Sequence, residues 1–148
     1  MKMKYVAGFM YSEDEQQVAL IKKIKPDWQK GLLNGIGGKI EKGENPMDAM
    51  IREFKEETGY DSLYIDFTWR CFCILEARWG TVHFFRVNGD LSRLKTMEEE
   101  EVGIYNVRDI YNLKTIPNLN WLVPLGIDER QSGGVVKELQ SGTELINR

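Results

Sequence analysis

The sequence predicts a mixed α/β fold, and three observations carry that prediction. Short β-rich runs alternate with turn residues, one strongly patterned helix interrupts them, and the 148 residues are 42% hydrophobic and 29% charged, ordinary usage for one domain with a real core. Lys4 to Tyr11 and Gln17 to Ile24 are rich in β-branched and aromatic residues, and the polar Ser12-Glu13-Asp14-Glu15 stretch between them predicts a hairpin. Lys25 to Gly31, with Pro26 and Trp28, reads as a loop. A helix is expected over residues 46 to 58. Asn45 suits its N-cap, Pro46 the first position where no amide donor is needed, Asp48 the positive dipole end, and Gly59 the C-terminal stop. Met47, Met50, Ile51 and Phe54 recur at three- and four-residue intervals and give that helix one apolar stripe.

Beyond the helix, Leu63 to Arg70, Cys71 to Ala77 and Thr81 to Val87 predict strands, with Trp79-Gly80 and Asn88-Gly89 as turns. Short helices are expected at Asn106 to Tyr111 and Asn120 to Gly126. No internal repeat or second domain is visible, so residues 1–148 are expected to form a single domain. Arg130 to Arg148 is polar with a Gly133-Gly134 break, which suits a frayed end or a final helix.

The net charge of −3 provides no global basic patch, which argues against general nucleic-acid binding by counterion release. Cys71 and Cys73 lie two apart, a spacing that in a strand points their side chains in parallel, and without a second ligand pair they make a poor zinc site. Buried thiols in a cytoplasmic protein are the expectation. The apolar run in MKMKYVAGFMYSEDE is too short for a signal sequence or a membrane span.

The chemistry concentrates in GKIEKGENPMDAMIREFKEETGY, residues 38–60. Here Gly38, Glu44, Arg52-Glu53-Phe54, Glu56-Glu57, Gly59 and Tyr60 stand at fixed offsets. On a helix, residues three and four apart are neighbours, so Glu53, Glu56 and Glu57 converge on one face. Three carboxylates in a small volume repel unless a cation screens them, and hard oxygen donors suit Mg²⁺ or Mn²⁺ rather than zinc. An isolated EFKEE is more often a solvated helix face. The preceding Gly35, Gly37 and Gly38 tip the reading, because they let main-chain groups approach a metal or phosphate closely. Lys39 follows as a point charge for a phosphate.

This pattern resembles the Nudix box, the signature of hydrolases that split nucleoside diphosphates linked to another moiety. The resemblance implies an α/β/α sandwich with a mixed β-sheet and a catalytic loop-helix-loop. It also implies a carbonyl of Gly37 or Gly38 in the metal shell, Arg52 holding the glutamates in place with Glu44 as its partner, and Glu53 or Glu56 as proton acceptor from a bound water. In MutT-type members a further glutamate near Glu98-Glu99-Glu100-Glu101 adds a metal ligand. Alignment on Ile104-Tyr105 favours Glu99, with Glu98 and Glu101 as alternatives and a solvated loop as the plain reading.

The stretch Gly31 to Lys39 also resembles MutT-type oxidised-purine nucleotide hydrolases, which implies that Asn34 hydrogen-bonds the base, although Asn-Gly is commonly a turn. Ile116 to Trp121 resembles the segment closing the same pocket, making Asn118 and then Asn120 the next base-contact candidates. Trp28, Phe72, Trp79, Phe84 and Trp121 are stacking candidates or core, and lone His83 reads as a packed or surface residue. The chain lacks the downstream proline of the ADP-ribose class and the tyrosine of the dinucleoside-polyphosphate class, having Glu76, Ala77 and Arg78 there.

The expected activity is therefore Mg²⁺-dependent hydrolysis of a nucleoside triphosphate, such as 8-oxo-dGTP, to the monophosphate and pyrophosphate. The alternatives are another nucleoside diphosphate derivative (ADP-ribose, a dinucleoside polyphosphate, capped RNA) or a nucleotide-sensing domain, which the intact Glu53, Glu56 and Glu57 oppose. A small-molecule nucleotide is the expected partner, with no membrane and no general nucleic-acid binding.

Overall fold

Strands β1 (Met3–Tyr11), β2 (Gln17–Lys22), β3 (Leu33–Asn34) and β4 (Ile36–Lys39) precede helix α1 (Pro46–Thr58). They are followed by β5 (Arg70–Ala77), β6 (Gly80–Asn88), β7 (Glu101–Asn106), helix α2 (Leu119–Ile127), β8 (Val135–Glu138) and β9 (Leu145–Asn147). The computed structural model describes residues 2–61, 69–128, 135–138 and 145–147. The described strands form one mixed sheet in the order β3-β2-β1-β6-β5-β8-β9, with β4 paired to β1 and β7 to β2. The expected hairpin is present, closing at Tyr11↔Val18. Along its whole length β1 also pairs with β6 in parallel, from Met3↔Gly80 to Tyr11↔Asn88.

Because β1 is central, both of its faces are covered and its burial is continuous from Val6 to Tyr11 rather than alternating. Val6 and Met10 pack with Met50 and Phe54 of α1, whereas Ala7, Phe9 and Tyr11 pack with Leu119, Leu122 and Val123 of α2. The result is helix, sheet, helix: the α/β/α sandwich the resemblance implied.

Helix α1 runs between the expected limits for the expected reasons. Asn45 Oδ1 accepts from the Asp48 amide at 2.8 Å, Pro46 opens the helix, and Gly59 closes it in the left-handed region at φ 74°. It docks closely on β1 because Gly8 has no side chain: a Cβ there would stand 2.5 Å from Met50 Cε and 2.9 Å from the Trp69 ring. Helix α2 is pinned from the other side. The buried Tyr11 hydroxyl donates to the Val123 carbonyl at 2.6 Å, and Arg86 Nε donates to Gly126 O at 2.7 Å, satisfying a carbonyl in the last turn.

The fold differs from the sequence reading or adds to it at four places. Residues 36–39, to which no strand was assigned, form β4, whose backbone pairs with β1 from Tyr5↔Lys39 to Gly8↔Ile36. Strand β7 was not expected; its polar start is held by pairing with β2 across six registers. The helix expected at Asn106 to Tyr111 is a 3-10 turn at Val107–Asn112. In place of a final helix, β8 pairs in parallel with β5 and β9 with β8, so backbone groups on that edge of β5 are satisfied by strand pairing. The strand expected over Leu63 to Arg70 lies, but for its end, outside the described residues. Among the described residues no helix is long and apolar enough to cross a membrane.

The fold makes a direct prediction about the Tyr11 anchor. Tyr11→Phe removes the buried bond to Val123 and should lower the free energy of unfolding by about 1–2 kcal/mol. An unchanged denaturant midpoint would show that α2 does not depend on it.

Candidate active site

Arg52 is the centre of the site. Its Nε and Nη2 form a bidentate pair with Glu44 at 2.8 and 2.9 Å, Nη1 reaches Glu53 at 2.9 Å and Glu56 at 3.3 Å, and Nη2 donates to the Lys39 carbonyl at 3.0 Å. One guanidinium thus joins the helix, the preceding loop and the end of β4. The Arg52 bonds, joined by one from the Glu41 amide at 3.0 Å, hold the Glu44 carboxyl down to about 2.

The remaining glutamates are less comfortable. Burial, opposed by Arg52 and assisted by Glu56 and Glu98, pushes Glu53 above its ordinary value. Burial, with Glu98, Glu53 and Glu100 adding repulsion, pushes Glu57 up to about 7. Its Oε2 is buried without a hydrogen-bond partner. Gly38 lies directly against Glu53: a Cβ there would fall 2.6 Å from the carboxylate carbon and Oε1. At Gly37 a Cβ would run into the Val6 carbonyl.

Among the described residues no three acidic or imidazole side chains converge at chelating separation. Arg52 accounts for this, since it draws Glu53 and Glu56 toward itself. The donor set nevertheless fits a hard divalent cation, because a buried carboxylate oxygen on Glu57 has no partner, Glu53 and Glu98 add negative charge near it, and Gly38 puts no side chain against Glu53.

Within the acidic run, Glu98 rather than the favoured Glu99 acts electrostatically on Glu53 and Glu57. Backbone bonds explain the register: Lys95 N donates to Thr58 O at 3.0 Å and Met97 N to Glu57 O at 3.1 Å, fastening this loop to the end of α1. Glu101 begins β7 opposite Lys22.

A cleft of about 900 Å³ opens beside the box, with Gly37 and Gly38 among its lining residues. Asn34 and Asn118 also line it, as do Trp28, Trp79, Phe84 and Trp121. Asn34 is both turn and cleft residue: its Oδ1 accepts from Gly35 N at 2.7 Å and its Nδ2 donates to Gln29 Oε1 at 3.1 Å. Asn118 caps α2 in the left-handed region at φ 79°, and its Oδ1 accepts from Trp121 Nε1 at 3.1 Å.

Two of the base- and phosphate-site candidates lie outside the lining of this cleft. Asn120 is not among the cleft-lining residues, and neither is the exposed Lys39, whose carbonyl serves Arg52 instead. Lys23 does line the cleft and was missed, because a lysine at the end of a strand carries no distinguishing signal. Cys73 is buried in the cleft wall, Phe72 is core, and His83 is half-buried with Nδ1 unpartnered.

Comparison with known proteins identifies the family. The NUDIX domain model matches residues 1–123, and the chain belongs to the Nudix family. An ADP-ribose pyrophosphatase of Bacillus subtilis is 36% identical over 47 residues, 32% of this chain and 25% of that protein, so the match spans about a quarter of the curated relative. A MutT structure from work on Aliivibrio salmonicida and Vibrio cholerae superposes with a TM-score of 0.69 at 24% identity, covering 86% of this chain and 98% of the other. The NUDIX domain of Shewanella oneidensis NrtR, complexed with ADP ribose, gives 0.71 at 15% identity over 88% and 89% of the two chains. These structural likenesses establish the shared fold.

The Glu44–Arg52 pair sets a pH dependence. Since folding lowers the Glu44 value from 4.5 to about 2, its stabilisation is full above pH 4.5 and is lost as pH falls toward 2. Glu44→Gln should therefore melt below the wild type at pH 7, with the two melting curves converging near pH 2 to 3. A gap that persists at low pH would assign the loss to packing instead.

Proposed function

We propose that the protein hydrolyses a nucleoside triphosphate, with a modified purine such as 8-oxo-dGTP as the preferred base, to the monophosphate and pyrophosphate. The observation that carries this reading is that one cleft joins the Gly37-Gly38 rim of the carboxylate site to two asparagine amides and exposed indoles. The carboxylates of Glu53, Glu56, Glu57 and Glu98, with a carbonyl of Gly37 or Gly38, would hold Mg²⁺ or Mn²⁺ there. Glu98 takes the place given to Glu99 in the sequence reading. Such a cation, when bound, neutralises polyphosphate charge and acidifies a coordinated water.

The chain's own groups do the rest. Glu53 or Glu56 accepts the proton as the water oxygen bonds to phosphorus, the anhydride bond breaks, and pyrophosphate leaves with the bridging oxygen. Arg52 fixes the orientation of Glu53, and Lys23 provides positive charge on the cleft wall. Trp28 and Trp121 offer stacking faces, and Asn34 and Asn118 offer amide edges for a purine. A cytoplasmic location goes with such a substrate.

ADP-ribose is the second reading, favoured by the Bacillus subtilis relative and by the ligand of the Shewanella oneidensis domain. Chromatographic identification and timing of the nucleotide products from a Mg²⁺-supplemented panel of 8-oxo-dGTP, canonical triphosphates, ADP-ribose, diadenosine polyphosphates and capped RNA separate the two. A kcat/KM for ADP-ribose above that for every triphosphate would overturn the first.

Two substitutions test the assignment further. Glu57→Gln removes a buried, repelled carboxylate while keeping its volume, so turnover should fall by about two orders of magnitude or more while the metal-free protein melts at the same or a higher temperature. Near-normal Mg²⁺-dependent turnover would refute the site. Asn34→Ala should lower kcat/KM for the preferred purine triphosphate by roughly 1–3 kcal/mol in transition-state terms and leave slow pyrimidine hydrolysis nearly unchanged. Equal losses for all nucleotides would confine Asn34 to the turn before Gly35.

A further inference from the structure

Glu100 lies two residues from Glu98 and close enough to Glu57 to add repulsion there, yet its own oxygens are taken by the segment that follows β2. Its side chain is only 13% exposed and accepts from Lys23 Nζ at 2.9 Å, from Ile24 N at 2.7 Å and, at longer range, from Lys25 N at 3.4 Å. Those donors open the segment 24–31, which carries Trp28 and Gln29 to the cleft.

That segment has little packing of its own. Ile24 is 41% and Trp28 62% exposed, and no residue of its 3-10 turn, Asp27–Gln29, is buried. Its base is closed by Lys23 N to Leu32 O at 2.9 Å and Gly31 N to Lys23 O at 2.8 Å, bonds that fix where it starts and ends but not how it leans. Polar anchors must set its position, since apolar burial does not. At its far side Gln29 Oε1 holds the Asn34 amide. On the other side of Glu100, Met97 N and Lys95 N are bonded to the C-terminal carbonyls of α1.

We infer that Glu100 is a positioning residue that fixes the base-side wall of the cleft, Trp28 and Gln29 with its partner Asn34, relative to the carboxylate site on α1. This rests on reading the cleft as a nucleotide site. The link runs from the Glu57 carbonyl through Met97 to Glu100, then across to the Ile24 amide and along the segment to Gln29 and Asn34. Loosening it moves the base contacts and leaves the carboxylates where α1 puts them. A displacement of the base wall weakens binding of a substrate that has a base and does nothing to one that lacks it.

The test compares Glu100→Ala with Glu100→Gln, which keeps an oxygen to accept from Ile24. In the alanine variant, hydrogen exchange at the Ile24 amide should accelerate at least tenfold. The KM for the preferred nucleotide should rise about tenfold with kcat within threefold, while KM for inorganic tripolyphosphate and Mn²⁺ affinity, read by electron paramagnetic resonance, stay as in the wild type. The glutamine variant should restore most of the slow exchange and at least half of the logarithmic loss in KM. A fall in kcat shared by tripolyphosphate, with weakened Mn²⁺ binding, would overturn the inference and make Glu100 part of the metal site. Unchanged exchange at Ile24 would also overturn it. If the wild type prefers ADP-ribose, the triphosphate reading fails by itself, and the same comparison run with ADP-ribose against tripolyphosphate still decides the role of Glu100.

Discussion

A single guanidinium makes the carboxylate site possible. Glu44, Glu53 and Glu56 surround Arg52, and without a fixed cation their mutual repulsion and the burial of Glu53 would open the loop before α1. Lysine would not serve. An ammonium is one point charge, whereas the planar fork of Arg52 gives two parallel bonds to Glu44 and still has Nη1 for Glu53 and a second Nη2 contact for the Lys39 carbonyl. Because Arg52 draws Glu53 toward β4, the strand can pass only if it has no side chain at Gly38. The glycine is thus a consequence of the arginine as much as a provision for phosphate.

The sheet then decides where the cleft lies. β2 meets β1 at Tyr11↔Val18, and along Tyr5 to Gly8 it is β4 that pairs with β1 instead. The glycines of the box therefore sit beside the central strand, with α1 on one face and the segment leading into α2 on the other. The box glutamates and the segment of Asn118 and Trp121 thus come from opposite layers. Gly37 and Gly38 both line the cleft, and Gly38 also lies against Glu53.

Much of this was legible in the chain because its signals are local. The limits of α1 follow from Asn45, Pro46 and Gly59, each acting within one turn, but the convergence expected of Glu53, Glu56 and Glu57 from helical spacing is not realised among the described residues, because Arg52 draws Glu53 and Glu56 to itself. β4 was not legible, since Gly37 and Gly38 carry no strand signal and only pairing with β1 makes Ile36–Lys39 a strand. Glu98 was not separable from Glu99 for a related reason: residues 98–100 lie in a bend with no two- or four-residue period, and the register is set by Met97 bonding to the far end of α1. Asn34 was placed by resemblance. What the chain could not show is that its amide is already held by Gln29 and Gly35.

The glutamates of this protein divide by how well their oxygens are satisfied. Glu44 accepts from both arms of Arg52 and from the Glu41 amide, and Glu100 from a lysine and two backbone amides, so that hydrogen bonds hold each below its ordinary value, in Glu100 against the opposing effect of burial. Neither has an oxygen left to offer a ligand at low cost. Glu57 is the reverse: half-buried, facing Glu98 and Glu53, with one oxygen unpartnered and its carboxyl raised toward neutrality. Leaving a buried acceptor unmet costs about 1–3 kcal/mol, a cost that folding alone gives no reason to retain. A bound cation would supply the missing partner and reverse the repulsion at once, whereas a proton would meet only part of it. Saturated carboxylates therefore build the frame, and the unsaturated one marks where the chemistry is to be sought.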